Sequence, residues 1–173
     1  MDWSIVLLRI VHIGAGMFWV GGAFTFFLFI APSTEVLAPP ARKAFLDQVV
    51  ERRRYPTAIL AAATLAILAG AVLYWRNSGG LNVGWVTSPS GLGFTIGGLA
   101  GLAAWLVAAV VISPTFNALS GLTGKLVSAG RPPTPEEGAR VASLGTRLRI
   151  AGRALLVLLA VAVVLMASSR YIY

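Results

Sequence analysis

Ile10–Ile30 reads IVHIGAGMFWVGGAFTFFLFI, and its single ionisable residue is His12. A run of about 20 apolar residues is long enough to cross roughly 30 Å of hydrocarbon as an α-helix. A β-barrel strand would instead show a short segment of alternating polarity, so the run predicts a transmembrane helix.

Three further runs repeat the pattern. They are Tyr55–Trp75, Leu92–Phe116 inside the uncharged stretch 77–124, and Ile150–Ser169, which is interrupted by Arg153. The whole chain is 57% hydrophobic and 12% charged, with a mean hydropathy of +0.82. Soluble domains carry roughly a quarter charged residues, so this chain has too few to cover a water-facing surface. The expectation is an all-α membrane protein with four transmembrane helices arranged as two hairpins. A single domain over residues 1–173 would hold helices at about 4–31, 55–76, 92–117 and 148–171. The first run has neither the basic start nor the small-residue cleavage site of a signal peptide, so it reads as a retained helix.

The net charge of +8 is distributed unevenly. Arg42, Lys43, Arg52, Arg53 and Arg54 lie between the first two runs, and Lys125, Arg131, Arg140, Arg147 and Arg149 lie between the last two. The second connection holds only Arg76, and the N-terminal end only Arg9. The positive-inside rule then predicts that the two basic connections are cytoplasmic and that both termini face out. Charge spent on orientation removes the reason to invoke nucleic acid, and the expected partner is the lipid bilayer. With no cysteine, disulfides, thiolate ligands and iron–sulfur clusters are excluded.

Helix one ends in Ile30-Ala31-Pro32 and helix three in Ile112-Ser113-Pro114, while Arg52-Arg53-Arg54 and Arg147-Leu148-Arg149 precede helices two and four. This spacing predicts a parallel duplication of one hairpin about an axis along the membrane normal. Gly93, Gly97 and Gly101 share one face of helix three and predict a close helix contact, as do Ala61–Ala63, Ala66 and Ala69 in helix two. Residues about 40–51 pair Phe45 and Leu46 with Val49 and Val50, the pattern of a short amphipathic helix on the inner membrane surface. The loop 77–91, with Trp85, is expected to be an outer connector that could also cover the mouth of the bundle.

His12 is the only histidine, and it lies roughly 13 Å inside the first helix at 1.5 Å per residue. Ionisable groups at that depth face the bundle interior. Arg9, His12, Gly16 and Trp19 recur at three- and four-residue spacing and so form one stripe. The stripe offers a cation, an imidazole, a gap without a side chain and an aromatic wall. That set suits one face of a haem, with Arg9 toward a propionate and His12 as the axial metal ligand. The alternative is a neutral imidazole bonded to a carbonyl or hydroxyl of a neighbouring helix, with Arg9 snorkelling to the headgroups. Met166 near the outer end of helix four is the candidate second ligand, with Arg170 beside a propionate; otherwise Met166 fills the core. Arg153, with Arg149, either holds a lipid headgroup or snorkels. No carboxylate lies within a predicted span, and the phosphate-loop, metalloprotease and nucleophile-elbow motifs are missing.

The segment Arg9-Ile10-Val11-His12-Ile13, followed by Trp19-Val20-Gly21-Gly22, resembles the first core helix of the copper-resistance D family of bacterial membrane proteins. The same histidine-to-tryptophan spacing resembles the small haem-binding membrane protoporphyrinogen oxidase and the membrane part of a cytochrome-linked urate oxidase. The resemblance implies a haem b or copper site at His12, in a multi-pass protein of the bacterial cytoplasmic (inner) membrane. In the oxidase-like proteins a Leu-Pro-Arg follows the tryptophan closely; here Pro32 comes thirteen residues after Trp19 and precedes Ser33. The functions in view are an electron-transfer or oxidoreductase role with haem, copper or small-solute transport, and service as an accessory subunit. A homodimer or larger membrane complex is the corresponding assembly.

Overall fold

The computed structural model describes residues 2–171; Met1, Ile172 and Tyr173, and with them both chain termini, lie outside the described residues. Within that range four helices are long and apolar enough to cross a membrane: Trp3–Glu35, Tyr55–Asn77, Pro89–Ala129 and Pro135–Tyr171. They are called the first to fourth helices below. Many of their large apolar side chains are exposed, including Ile10, Ile13, Phe18, Leu65, Leu68, Leu99 and Val164. Such a surface is stable only against hydrocarbon, so the fold is that of a multi-pass membrane protein.

The helices pair as two hairpins, first with second and third with fourth. The core between them is Trp19 and Ala23 from the first helix, Ala63 and Ala66 from the second, Ala104 from the third, and Leu155, Leu156 and Leu159 from the fourth. Small residues set the approach distances, since packing rather than water exclusion holds helices together in lipid. A Cβ on Gly97 would lie 3.1 Å from Met166 Cγ and 3.3 Å from Leu165 Cβ, and Gly93 faces Ser169, so this glycine face packs on the fourth helix. Gly22 accommodates Ile59 and Tyr55, whose hydroxyl donates to the Gly22 carbonyl at 2.7 Å. Gly152 lies against the Phe27 ring. Between the hairpins, the Trp105 indole N–H donates to Thr64 Oγ1 at 2.9 Å, and Thr64 in turn donates to the Leu60 carbonyl at 2.9 Å.

The two hairpins share a backbone feature. The first helix carries a π-turn over Phe26–Ile30 and the third over Val107–Ile112. In one, the Ala31 N–H reaches the Phe26 carbonyl; in the other, the Ser113 N–H reaches the Ala108 carbonyl. Each wide turn ends two residues before a proline, Pro32 or Pro114. A proline inside a helix has no N–H to donate and its ring collides with the carbonyl four residues back. The inserted residue of a π-turn relieves that collision while keeping the backbone bonded, as hydrocarbon requires.

The helices extend further than the apolar runs alone suggest. The third continues to Ala129 and stops at Gly130, which has φ 60°, and the fourth starts at Pro135. The expected loop 117–149 is therefore largely helix outside the apolar spans. Thr134 and Glu137 form a capping box at the start of the fourth helix, satisfying N–H groups that have no partner within it. Between the first two helices, Pro39–Leu46 is α-helical and Asp47–Arg52 is a π-turn; Lys43 pairs with Asp47 there.

Candidate functional site

The second helix builds the setting for His12. In an α-helix the carbonyl of residue i bonds the N–H of residue i+4, and the side chain at i+4 normally hinders a further partner. At Gly70 that side chain is missing, so the Ala66 carbonyl is open to the neighbouring helix. The His12 ring occupies the gap: Nδ1 lies 2.8 Å from the Ala66 oxygen. A Cβ on Gly70 would stand 2.8 Å from His12 Cε1 and 2.9 Å from Nδ1, but 3.8 Å from Nε2. A carbonyl oxygen only accepts, so Nδ1 is the donor. In the neutral ring the proton is thus on Nδ1 and the Nε2 lone pair is free.

The rest of the stripe divides by role. Trp19 is 4% exposed and belongs to the central core. Gly16 is half-buried, and a Cβ built there would meet no heavy atom within 4 Å. Arg9 is exposed one turn toward the helix start, and Arg170 is exposed at the end of the fourth helix. Met166 is half-buried and packs on the third helix at Gly97. The hydrogen bonds and close contacts given above tie His12 to the second helix and Met166 to the third, and none of them joins the two side chains. Among the described residues no group of three or more His, Cys, Asp or Glu side chains is placed to hold a metal ion. Any metal at His12 therefore depends on ligands of another kind, such as those of a porphyrin.

The end of the bundle nearest Arg9 is held by polar contacts. Arg76 donates through Nη1 to Ser4 Oγ at 2.6 Å and through Nη2 to Asp2 Oδ2 at 2.7 Å. The Asp2 carboxyl is kept below its ordinary range, first by the Ser4 hydroxyl and then by the Ser4 N–H and the Arg76 charge. Nearby, the hydroxyls of Tyr74 and Thr95 share a hydrogen bond at 2.6 Å, and Trp85 stacks on Phe94 with ring centres 6.2 Å apart. The segment expected to be an outer connector is thus anchored to the third helix through its tryptophan.

No family model, curated protein or solved structure matches this chain.

Toward the arginine-rich end lies a second feature, a cavity of about 90 Å³ between the two π-turns. Trp19, Phe26, Phe27, Tyr55, Ile112 and Phe116 contribute to its wall. Dry apolar cavities of about 150 Å³ hold a benzene-sized ring, so this one holds less. Its wall runs along the first helix from Trp19 to Phe27, seven to 15 residues beyond His12, or roughly 10–23 Å at 1.5 Å per residue.

Two elements of the His12 setting escape a reading of single residues. Ala66 looks like one more packing alanine, and Gly70 like a flaw in an alanine-rich helix. The available signal was depth: Gly70 is about 10 Å from the Asn77 end of its helix, close to the depth of His12 from Trp3 in the antiparallel neighbour.

Proposed function

We propose that this chain is a small haem b-binding membrane protein with an electron-transfer or oxidoreductase role, in which His12 is the axial ligand through Nε2. The observation carrying the reading is that the hydrogen bond from His12 Nδ1 to the Ala66 carbonyl, which by itself is the bond of the packing alternative, leaves Nε2 with its lone pair and no hydrogen-bond partner among the described residues. A ligating histidine characteristically donates its other ring N–H to a carbonyl or carboxylate, which fixes the tautomer, orients the ring and raises the basicity of the ligating nitrogen. Here the partner is a backbone atom held by the helix itself, so the orientation requires no mobile side chain.

Three further residues act around that nitrogen. Gly16 leaves the backbone one turn from His12 uncovered. Arg9, exposed one turn outward, supplies a cation for a propionate at the headgroup level. Trp19, fixed in the core, closes the stripe on its inner side and keeps water from that direction. A haem held there supplies a one-electron couple whose potential depends on its ligand, its hydrogen bonds and its burial. The chain's resemblance to copper-resistance D and haem-oxidase proteins around His12 and Trp19 supports the same chemistry. In this reading the arginine-rich connections face the cytoplasm of a bacterial cell and His12 lies nearer the outer surface.

The test is an absorbance spectrum of detergent-purified protein from haem-replete cells. The reading predicts a Soret band in the parent that His12→Ala abolishes while the variant remains folded. A colourless, iron-free parent overturns it.

A further inference from the structure

The third and fourth helices do not close against each other along their whole length. Beside the second π-turn they leave a shallow groove, open to the bundle surface. Its floor and walls include Val107, Val111, Ile150 and Ala154, and its far end is formed by Ser143 and Arg147. Two sequence features open it. The π-turn over Val107–Ile112 interrupts the regular surface of the third helix, and alanine at 154 provides little side chain to fill the space.

The polarity of the groove changes along its length. Ser143, Arg147, Ile150 and Ala154 follow one another at three- and four-residue intervals, so they share one face of the fourth helix. Ile150 begins the apolar run of that helix, which places Arg147 about one turn outside the hydrocarbon, at headgroup height. Arg147 is exposed and makes no ion pair among the described residues. Thr146, beside it, accepts from Arg149 Nη2 at 3.1 Å, which holds a second guanidinium at the same level. A cationic, hydroxyl-bearing end continuous with an apolar trough complements an anionic group joined to a hydrocarbon chain.

We propose that this groove is a binding site for an anionic phospholipid, with one acyl chain along Val107, Val111, Ile150 and Ala154 and the phosphate at Arg147 and Ser143. The site does not depend on the role of His12. It provides lipid selectivity at the arginine-rich end of the bundle, where non-specific annular lipid would bind regardless of headgroup.

Native mass spectrometry of the full chain in detergent, titrated with dioleoyl phosphatidylglycerol or dioleoyl phosphatidylcholine, tests it. The anionic lipid should bind about fivefold more tightly, the preference expected of one arginine near the headgroups. Arg147→Gln should remove that preference and leave phosphatidylcholine binding unchanged. Ala154→Phe, at an exposed position where added bulk fills the groove, should weaken both lipids. Melting temperatures equal to that of the parent confirm that both variants are folded. Equal binding of the two lipids by the parent overturns the proposal. So does displacement of phosphatidylglycerol by inorganic phosphate combined with no effect of Ala154→Phe, which would mark a site for free phosphate alone.

Discussion

Replacing Gly70 with alanine tests how the second helix receives His12. The added carbon would sit 2.8 Å from Cε1 and 2.9 Å from Nδ1 of the imidazole. Non-bonded carbons are at their best separation at about 3.5–4.0 Å, so the ring must withdraw by roughly 0.7–1 Å. The bond to Ala66 begins at 2.8 Å, and a retreat of that size takes it to the limit of a hydrogen bond. Loss of that bond costs about 1 kcal/mol, and crowding the contact costs about 1–3 kcal/mol. Alanine offsets about 1 kcal/mol through its better helix propensity. The net expectation is a destabilisation of about 1–3 kcal/mol, which for a chain of this size lowers the melting temperature by about 2–4 °C per kcal/mol. Thermal unfolding in detergent measures it, with Gly14→Ala as the control, because a Cβ at Gly14 meets nothing within 4 Å. Gly14→Ala should melt at or slightly above the parent. A Gly70→Ala variant that melts at or above the parent refutes the placement of His12 in this gap.

Gly16→Leu should leave the melting temperature within about 2 °C of the parent's, since its side chain meets open space, yet remove most haem from the purified protein. Unchanged haem content would show that no flat group lies over Gly16. Trp105→Phe removes the indole donor to Thr64 and should destabilise the bundle by about 1 kcal/mol; a double-mutant cycle with Thr64→Val should recover most of that as coupling. Additive effects would mean the bond contributes nothing between the hairpins. The Asp2 carboxyl is depressed in the folded chain, so its contribution is present above the ordinary value of 3.8 and is lost as pH falls below it. Exchange protection factors over residues 3–6, referred to the intrinsic rate at each pH, should therefore fall on acidification below that value, and Asp2→Ala should lack that protection already at neutral pH.

Much of the architecture was legible because the bilayer imposes a length and a polarity on each helix. The runs from Ile10, Tyr55 and Ile150 mark their spans without help from tertiary contacts, and the prolines at 32 and 114 mark corresponding places in the first and third helices. What those prolines do to the backbone was not legible. A proline in a helix is compatible with a kink, a stop or a wide turn, and packing decides among them; here both helices take the wide turn and continue. The ends of the third and fourth helices were missed for a related reason. Phe116–Ala129 contains Asn117, Ser120, Gly121, Thr123 and Gly124, residues with weak helix preference, and packing against the fourth helix and the short helix Pro39–Leu46 makes the continuation favourable.

At the candidate site the sequence identified the imidazole and, as one alternative, a carbonyl of a neighbouring helix as its partner, but not which carbonyl. Backbone carbonyls carry no sequence signature, and Ala66 is chosen because Gly70 uncovers it. The stripe from Arg9 to Trp19 was also read as one surface, whereas the fold gives its members different neighbours. Trp19 packs in the core between hairpins, Gly16 faces open space, and His12 meets the second helix. Helical spacing reports which side a residue is on; it does not report what stands opposite.

The most direct test of the account is the Soret absorbance of the purified protein, read together with that of His12→Ala. The account predicts a Soret band with one haem b for each site in the parent, and no band in a His12→Ala variant that elutes and melts as a folded protein. A folded His12→Ala protein that retains the full band would contradict the assignment of His12 as the ligand.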